Sequence, residues 1–291
     1  MKSKITVIGI TSANIENVFN GWEYTYIIKD LLANFEVDLK LISDKLDLFY
    51  DNCLIIYSCD ERNIPSNLLE YFTEYKNRNL DFNLFHISNE QLRHDTSYYK
   101  LAKNVFRNYF DPSITLNNVL TLPLGYKNGF FNPSLTFKRV EDKKFDSCFV
   151  GQLKHDRINV VHEISNLEKK FIHITQQWDC PTSLPSEAVF KIYQDTLLIP
   201  CPIGNVNQDS FRICEILESG SIPLIKIYFQ EDYFKHIFGE HPIPTVRDWN
   251  EIPKILKDIK NNSNEKILEI NEWYKKFKEE LRTKIFNILN K

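Results

Sequence analysis

The sequence has little of what usually marks metal sites, dinucleotide sites or membrane segments. Its six cysteines form no C-x-x-C pair, so we expect buried free thiols and no bound metal. Its eight glycines form no G-x-G-x-x-G fingerprint. No stretch approaches the roughly 20 apolar residues of a membrane span, and the early apolar run 5–10 is too short for a signal peptide. These absences predict a cytoplasmic chain without a transmembrane segment, and they leave peripheral membrane contact open.

An excess of positive charge is also missing. The chain has 36 lysines and arginines against 39 acidic residues, a net charge of -3. This balance gives no electrostatic reason to expect a nucleic-acid partner. Hydrophobic residues make up 43% of the chain, which is typical of a globular protein, and 291 residues favour two domains over one.

Short apolar runs alternate with helical periodicity along the chain. The runs typical of buried strands in the first series are KITVIGI (4–10), FEVDLKLI (35–42), CLIIYS (53–58) and FNLFHI (82–87). A second series begins at SCFVGQ (147–152), and a helix is expected to follow over 156–170. The polar, charged stretch 132–146 between the two series is the linker candidate. We therefore predict an α/β fold with two Rossmann-like doubly wound domains, 1–137 and 138–291, and a ligand cleft between them.

The segment DSFRICEILESGSIPLI (209–225) has the strongest signal for a binding site. Asp209 and Ser210 are good caps for a helix that begins just after the strand TLLIP, and such a helix N-terminus attracts anions. Arg212 in the first turn adds a forked donor suited to phosphate. Glu215, about one turn further on, can accept hydrogen bonds from two neighbouring hydroxyl groups, as on a ribose. The alternative is an amphipathic helix with a solvated charged face. In both interpretations Gly220 is suited to the left-handed conformation that ends the helix.

The segment FVGQLKHDR (149–157) repeats this arrangement. A strand ends at Gly151, and Lys154 and Arg157 lie where the next helix is expected to begin. Two such turns in one domain favour a diphosphate ligand. No D-x-D pair is present to chelate a metal for that diphosphate, so cations and helix ends would neutralise it. The alternative is a solvated basic helix start.

The segment LFHISNEQLRHD (84–95) ends a buried strand with polar residues at the predicted ligand edge of the first domain. A carboxylate or imidazole there, from His86, Glu90 or His94, could act as a general base. The alternative is a capped helix start, since Ser88 and Gln91 have the spacing of a capping box. In VFRNYF (105–110), Arg107 is either a core ion pair or a ligand contact.

These segments together resemble a known family. DSFRICEILESGSIPLI is similar to the donor segment of exostosin-type glycosyltransferases, which have the GT-B fold. The ordered series LFHISNEQ, VFRNYF and LPLGYKNGF most resembles the ribitol-phosphate xylosyltransferase relatives of that group. The resemblance covers roughly residues 82–225. It implies a UDP-linked nucleotide-sugar donor and no other cofactor. It also implies a glycan or polyol-phosphate acceptor, inversion at the anomeric carbon and independence of metal.

The resemblance also implies roles for individual residues. Arg212 and the helix N-terminus would hold the diphosphate, Glu215 the ribose, and Lys154 with Arg157 the charge of the leaving nucleotide. Inverting transfer also needs a base that removes the proton from the acceptor hydroxyl. The candidates are Glu90, followed by Asp60 and Glu16.

A cytoplasmic enzyme that moves xylose in surface polysaccharide synthesis fits these features. Three alternatives stay open. They are an epimerase, a fucosyltransferase-like enzyme, and a non-catalytic two-domain binding or partner protein.

Overall fold

The computed structural model describes residues 2–10, 22–42, 45–58, 67–135, 137–177, 180–228 and 233–291. The chain divides into two compact units. The first contains Met1–Leu124 and Glu279–Lys291, and the second contains Gly125–Lys278. The boundary expected after residue 137 therefore lies inside the second unit.

The first unit is built on a parallel sheet of six described strands in the order β2-β1-β3-β4-β5-β6. The strands are Ser3–Ile10, Phe35–Ile42, Cys53–Ser58, Phe82–Ile87, Asn104–Asn108 and Val119–Leu122, labelled β1 to β6. Cys53–Ser58 and Phe82–Ile87 are buried along almost their whole length, because strands covered on both faces need continuous apolar runs.

Helical segments of the first unit flank its sheet. Helix α1 spans Leu68–Asn77, a π-helical segment spans Thr25–Leu31, and a 3₁₀ segment spans Ser97–Leu101. On the α1 side the core is strongly aromatic, and the rings of Phe72 and Phe82 stack 5.1 Å apart. Large rings give such a core much apolar area for few residues.

The second unit contains a parallel sheet of five described strands in the order β11-β10-β9-β7-β8. The strands are Phe145–Gln152, Lys170–Thr175, Thr196–Cys201, Ile222–Lys226 and Thr245–Val246, labelled β7 to β11. The helices that begin in this unit are Arg157–Ser165, Ser186–Gln194, Phe211–Ser219, Lys235–Phe238, Ile252–Asn261 and Ser263–Leu289, labelled α2 to α7. Helix α7 belongs to the first unit from Glu279 onward. In both sheets the first strand of the series lies between the second and the third, which is the doubly wound arrangement.

The predicted elements agree with the structure closely, with two exceptions. A helix was expected over 156–170, but α2 ends at Ser165 and Lys170 already begins β8. The capping-box interpretation of 88–91 is wrong, because no helix follows and Ser88 has a left-handed φ of 67°. An N-cap residue needs an extended backbone instead.

Gly220 ends helix α4 as the sequence predicts, in the left-handed conformation with φ 72° and ψ 32°. A Cβ atom here would lie 1.8 Å from Cδ1 of Phe137. We expect Gly220→Ala to lower the free energy of unfolding by about 2–4 kcal/mol, because the strained backbone and the overlap add together. Urea unfolding measures this loss. In a Phe137→Ala background the cost should fall to the backbone strain alone, and equal costs in both backgrounds would contradict the overlap argument.

Candidate functional site

The candidate site of the second unit lies at the carboxyl ends of β7 and β9. These two strands are neighbours, and the chain leaves β7 toward β8 before it returns to β9. Ligands of doubly wound sheets bind at such a switch point, because the loops after the two strands run in opposite directions. The loops in question are 153–156, before α2, and 202–210, before α4.

Gly151 and Arg212 meet at this edge. Gly151 has a φ of 138°, and a Cβ atom at that position would approach Nη2 of Arg212 to 3.2 Å. Nη2 of Arg212 donates to the carbonyl oxygen of Val150 at 2.9 Å, and the guanidinium lies 5.4 Å from the ring centroid of Phe149. The half-buried Arg212 is thus fixed at the end of β7, with a positive charge beside the N-terminus of α4.

The N-terminus of α4 carries no side-chain cap. Ser210 occupies the predicted N-cap position with extended backbone angles, but its side chain makes no capping hydrogen bond. Its Oγ is buried and has no hydrogen-bond partner among the described residues. Asp209, just before it, is buried at 1% exposure. Ser210 therefore does not supply the side-chain acceptor that usually caps the first amide groups of a helix, which suits an anion site.

Glu215 is buried on the same helix. Its side chain is 6% exposed, and Oε1 lies 4.0 Å from Nζ of Lys127. Burial raises the pKa of Glu215, while Lys127 and Arg212 oppose that shift. Oε1 has no hydrogen-bond partner within the described chain, so it can accept a ligand hydroxyl. Lys127 was not predicted, because it is 88 residues earlier and carries no local signal.

Lys154 and Arg157 connect the two loops. Lys154 donates to Oδ1 of Asn205 in the second loop. Arg157 is buried at 6% exposure and donates to two backbone carbonyls, that of Gln152 at the end of β7 at 3.3 Å and that of Ile203 in the second loop at 2.9 Å. Arg157 therefore acts as a clamp, because its hydrogen bonds hold the end of β7 against the second loop. The contact of Arg157 with a leaving nucleotide stays a prediction.

A second polar group lies beside this clamp and was missed by the sequence analysis. Oδ2 of Asp156 accepts from the hydroxyl of Tyr228 at 2.7 Å and from Nε1 of Trp249 at 2.6 Å, with Nζ of Lys226 at 3.4 Å. The four residues come from the start of α2, the end of β10 and the 3₁₀ turn Trp249–Glu251. This group fixes the start of α2, and with it Arg157, against the next strand.

In the first unit, one of the three candidate bases falls in the described chain. Glu90 is half-buried, three residues after the end of β4, and its amide donates to the carbonyl oxygen of Ser88 at 2.9 Å. It thus lies at the expected carboxyl edge of its sheet. Asp60 and Glu16 lie outside the described residues.

Metal-binding and membrane-spanning features are absent from the described part of the chain. No cluster of three or more histidine, cysteine, aspartate or glutamate side chains is arranged to hold a metal ion there. The five cysteines that can be placed are free. Across the described ranges, no helix is both long and apolar enough to cross a bilayer.

Comparison with solved structures identifies the fold. The DNA-modifying β-glucosyltransferase, studied with and without uridine diphosphoglucose, aligns with a TM-score of 0.56 at 14% identity, over 99% of this chain and 100% of that one. Anabaena HepE in complex with UDP aligns with a TM-score of 0.56 at 8% identity, over 100% of both chains. The predicted α/β fold of the GT-B glycosyltransferases is confirmed.

Comparison of sequences identifies the family. The chain is 26% identical to mouse ribitol-5-phosphate xylosyltransferase 1 over 237 residues, 70% of this chain and 52% of that protein. It is 26% identical to the human protein over 210 residues, 62% of this chain and 46% of that protein. The chain thus spans about half the length of these relatives. The family model described as the RXYLT1 C-terminal domain matches residues 133–291, which include β7, α2, β9 and α4 but not Lys127, and the chain belongs to this family.

Proposed function

We propose that this protein transfers a sugar, xylose in the first instance, from a UDP-linked donor to a polyol-phosphate or glycan acceptor. The reaction is inverting and independent of metal, and it serves the cytoplasmic synthesis of a surface polysaccharide. The observation that carries the proposal is the uncapped N-terminus of α4, flanked by Arg212 and followed by the buried carboxyl group of Glu215. The names of the relatives support the choice of xylose and of a ribitol phosphate acceptor.

The donor is held in the second unit in this proposal. The first amide groups of α4 and the guanidinium of Arg212 bind the diphosphate. Oε1 of Glu215 accepts hydrogen bonds from the ribose hydroxyls. Burial raises the pKa of that carboxyl group, and Lys127 at 4.0 Å opposes the rise. Each group is fixed by its own strand or helix, so little has to reorganise when the donor binds.

Transfer breaks the bond between the anomeric carbon and the diphosphate and forms one to the acceptor oxygen. Negative charge grows on the leaving diphosphate, where Arg212, Lys154 and the helix N-terminus stabilise it. The acceptor hydroxyl loses its proton to a base of the first unit. Glu90 is the candidate, with Asp60 and Glu16 behind it.

Donor binding tests this assignment directly. Titration calorimetry with UDP and UDP-xylose, with and without EDTA, should show binding that EDTA does not change. Arg212→Met should weaken UDP binding and reduce kcat/KM for transfer to ribitol 5-phosphate by roughly 100- to 1,000-fold, because the charge it stabilises grows in the transition state. Glu215→Gln should weaken binding of UDP but not of inorganic pyrophosphate, because the glutamate contacts only the ribose.

The exposed Glu272 on α7 provides the matched control. Glu272→Gln should leave UDP binding unchanged. Absence of UDP binding by the wild-type protein would reject the donor site and favour a non-catalytic partner protein. Tighter binding of GDP-fucose than of UDP-sugars would favour a fucosyltransferase-like enzyme, and conversion of the donor sugar without any acceptor would favour an epimerase.

A further inference from the structure

Three neighbouring strands of the first unit place polar side chains in one row near their carboxyl ends. Tyr57 on β3 pairs in register with His86 on β4, and His86 pairs with Arg107 on β5. Paired residues of parallel strands point to the same face. Tyr57 and His86 stack at 4.5 Å, and Nδ1 of His86 lies 2.5 Å from the hydroxyl of Tyr99. The row ends in Arg107.

Arg107 is buried, and most of its donors are not used. The residue is 1% exposed, and its Nε donates to the carbonyl oxygen of Asn108 at 3.3 Å. Nη1 lies 3.5 Å from Oδ2 of Asp111, whose Oδ1 already accepts from the amide and hydroxyl of Ser113. Neither Nη1 nor Nη2 has a hydrogen-bond partner among the described residues. Burial of an arginine whose Nη1 and Nη2 donors make no hydrogen bond costs free energy. A ligand that accepts hydrogen bonds from these donors would offset that cost.

A second buried group with unused polar atoms follows the neighbouring strand. Asn89 comes two residues after the end of β4 and is 2% exposed. Neither Oδ1 nor Nδ2 of its side chain has a hydrogen-bond partner within the ranges the structure describes. Strained backbone surrounds the two groups, since Ser88, Leu92 and Tyr109 have left-handed φ angles of 67°, 55° and 62°. Non-glycine residues in this conformation concentrate at functional sites.

The charge around Arg107 also favours an anion. The pKa of His86 is held well below its usual value, by burial first and by the charge of Arg107 second. The imidazole is therefore neutral, and Asp111 is the carboxylate that contacts the guanidinium. One carboxylate at 3.5 Å leaves the forked face of the guanidinium free to bind two oxygens of a single anion.

We propose that Arg107 and Asn89 form a binding position for a phosphoryl group, and that this group belongs to the phosphorylated acceptor. Arg107 binds two phosphoryl oxygens through its fork, and the amide of Asn89 bonds to a third oxygen or to the adjacent polyol hydroxyl. These atoms are closed to solvent, so binding requires a rearrangement of the residues that cover them. Identification of the anion as the acceptor rests on the proposed function, whereas the anion site does not.

The test measures anion binding without donor. Inorganic phosphate and ribitol 5-phosphate are titrated separately into the wild-type protein, Arg107→Met, Arg107→Lys and Asn89→Ala. We expect Arg107→Met to weaken binding of both probes at least tenfold, since the two charge-assisted hydrogen bonds are lost. Arg107→Lys should retain part of the binding, because it keeps the charge but not the fork. Ribitol 5-phosphate should bind the wild type more tightly than phosphate if the acceptor is the natural source of the group.

Two further readouts separate this site from a structural role and from the donor site. Replacement of Arg107 by methionine should leave the midpoint of thermal unfolding unchanged or raise it, because an unsatisfied buried cation is removed. UDP affinity should be the same in Arg107→Met and wild type. Arg78→Met removes an exposed arginine of the same unit and is the control. It should leave the affinity for phosphate and for ribitol 5-phosphate unchanged.

The outcomes are distinct. Unchanged phosphate affinity in Arg107→Met and Asn89→Ala, or no binding of either probe by the wild type, would overturn the anion site. Loss of phosphate binding in these variants together with no UDP binding by the wild type would keep the anion site and reject the proposed transferase. Equal wild-type affinity for the two probes would reject the acceptor as the source of the phosphoryl group. If Arg107→Met does not fold, Arg107→Lys and Asn89→Ala decide the question.

Discussion

Replacement of Lys278 by methionine is expected to lower the free energy of unfolding by about 3–5 kcal/mol, the penalty for leaving a buried carboxylate without its cation. The carboxylate is that of Glu218 on α4, whose side chain is 0% exposed, while the side chain of Lys278 on α7 is 8% exposed. Nζ of Lys278 donates to Oε1 of Glu218, which also accepts from the hydroxyl of Tyr274 at 2.8 Å. The methionine would fill a similar volume, so the loss is electrostatic rather than a cavity.

The remaining contacts of Glu218 explain why this pair holds several elements together. Oε2 accepts from the amide of Asn132 at 3.0 Å, and Nδ2 of Asn132 donates to the carbonyl oxygen of Glu218 at 3.0 Å. One carboxyl group thus joins α4, α7 and the segment before β7. Nζ of Lys278 also lies 5.6 Å from the ring centroid of Tyr126, a distance at which a cation is attracted to the ring.

The interaction energy between Lys278 and Glu218 is measured by urea unfolding of four proteins, namely wild type, Lys278→Met, Glu218→Gln and the double variant. The double variant should be more stable than Lys278→Met alone, because a neutral glutamine in place of Glu218 needs no cation and still offers polar atoms to Asn132 and Tyr274. Lys275→Met, on the exposed face of the same helix, is the control and should lie within about 0.5 kcal/mol of wild type. A Lys278→Met variant as stable as this control would show that the buried pair contributes nothing.

The sequence was sufficient for most of the strands, and the reason is physical. A parallel strand covered on both faces is a nearly continuous apolar run. The ends of CLIIYS and FNLFHI were therefore predicted at the residues where the structure has them. The C-terminus of α4 was equally clear, because only glycine adopts the left-handed conformation of residue 220 without cost.

Local motifs were less reliable where they concerned capping. Ser88 and Gln91 have capping-box spacing, yet Ser88 adopts a left-handed conformation and no helix follows. Ser210 does occupy the N-cap position of α4, but its hydroxyl does not cap. A spacing rule describes which hydrogen bonds are within reach, and the tertiary structure decides which of them form.

Charged side chains in helices were the hardest to interpret, because their partners are distant in sequence. Glu218 and Glu215 look alike on α4, but Glu218 is paired with Lys278, 60 residues later. Arg157 was predicted to contact the phosphates of the leaving nucleotide. In the structure its Nη2 donates to the carbonyl oxygens of residues 203 and 204, up to 47 residues away. The sequence indicated that these turns carry charge, and it could not show which charges are already neutralised by the protein.

Replacement of Glu23 by glutamine should have a large pH-dependent effect on stability. Glu23 is 2% exposed, just before the π-helical segment Thr25–Leu31, and its Oε2 has no hydrogen-bond partner in the described part of the chain. Burial raises the pKa of this carboxyl group from 4.5 to about 8, against a smaller opposing effect from its own backbone amide. The native protein therefore binds this proton much more tightly than the unfolded chain does.

The sign of the effect follows from that difference. Below pH 4.5 the carboxyl group is neutral in both states, and the stabilisation from the tightly held proton is complete. As the pH rises toward about 8 this stabilisation is lost progressively, and above that value the native state holds a buried carboxylate. The shift corresponds to a change on the order of 4 kcal/mol in the free energy of unfolding across this range. Glutamine has the shape of the neutral acid and cannot ionise, so it removes the dependence.

Urea unfolding at pH values of about 5, 6.5 and 8.5 tests this expectation. Wild type and Glu23→Gln should be similar at the lowest pH, and the variant should be more stable by roughly 2–4 kcal/mol at the highest. Glu36→Gln, on the exposed side of β2, is the control and should follow the wild-type curve. Parallel curves for wild type and Glu23→Gln over this range would mean that the carboxyl group ionises at its ordinary pH.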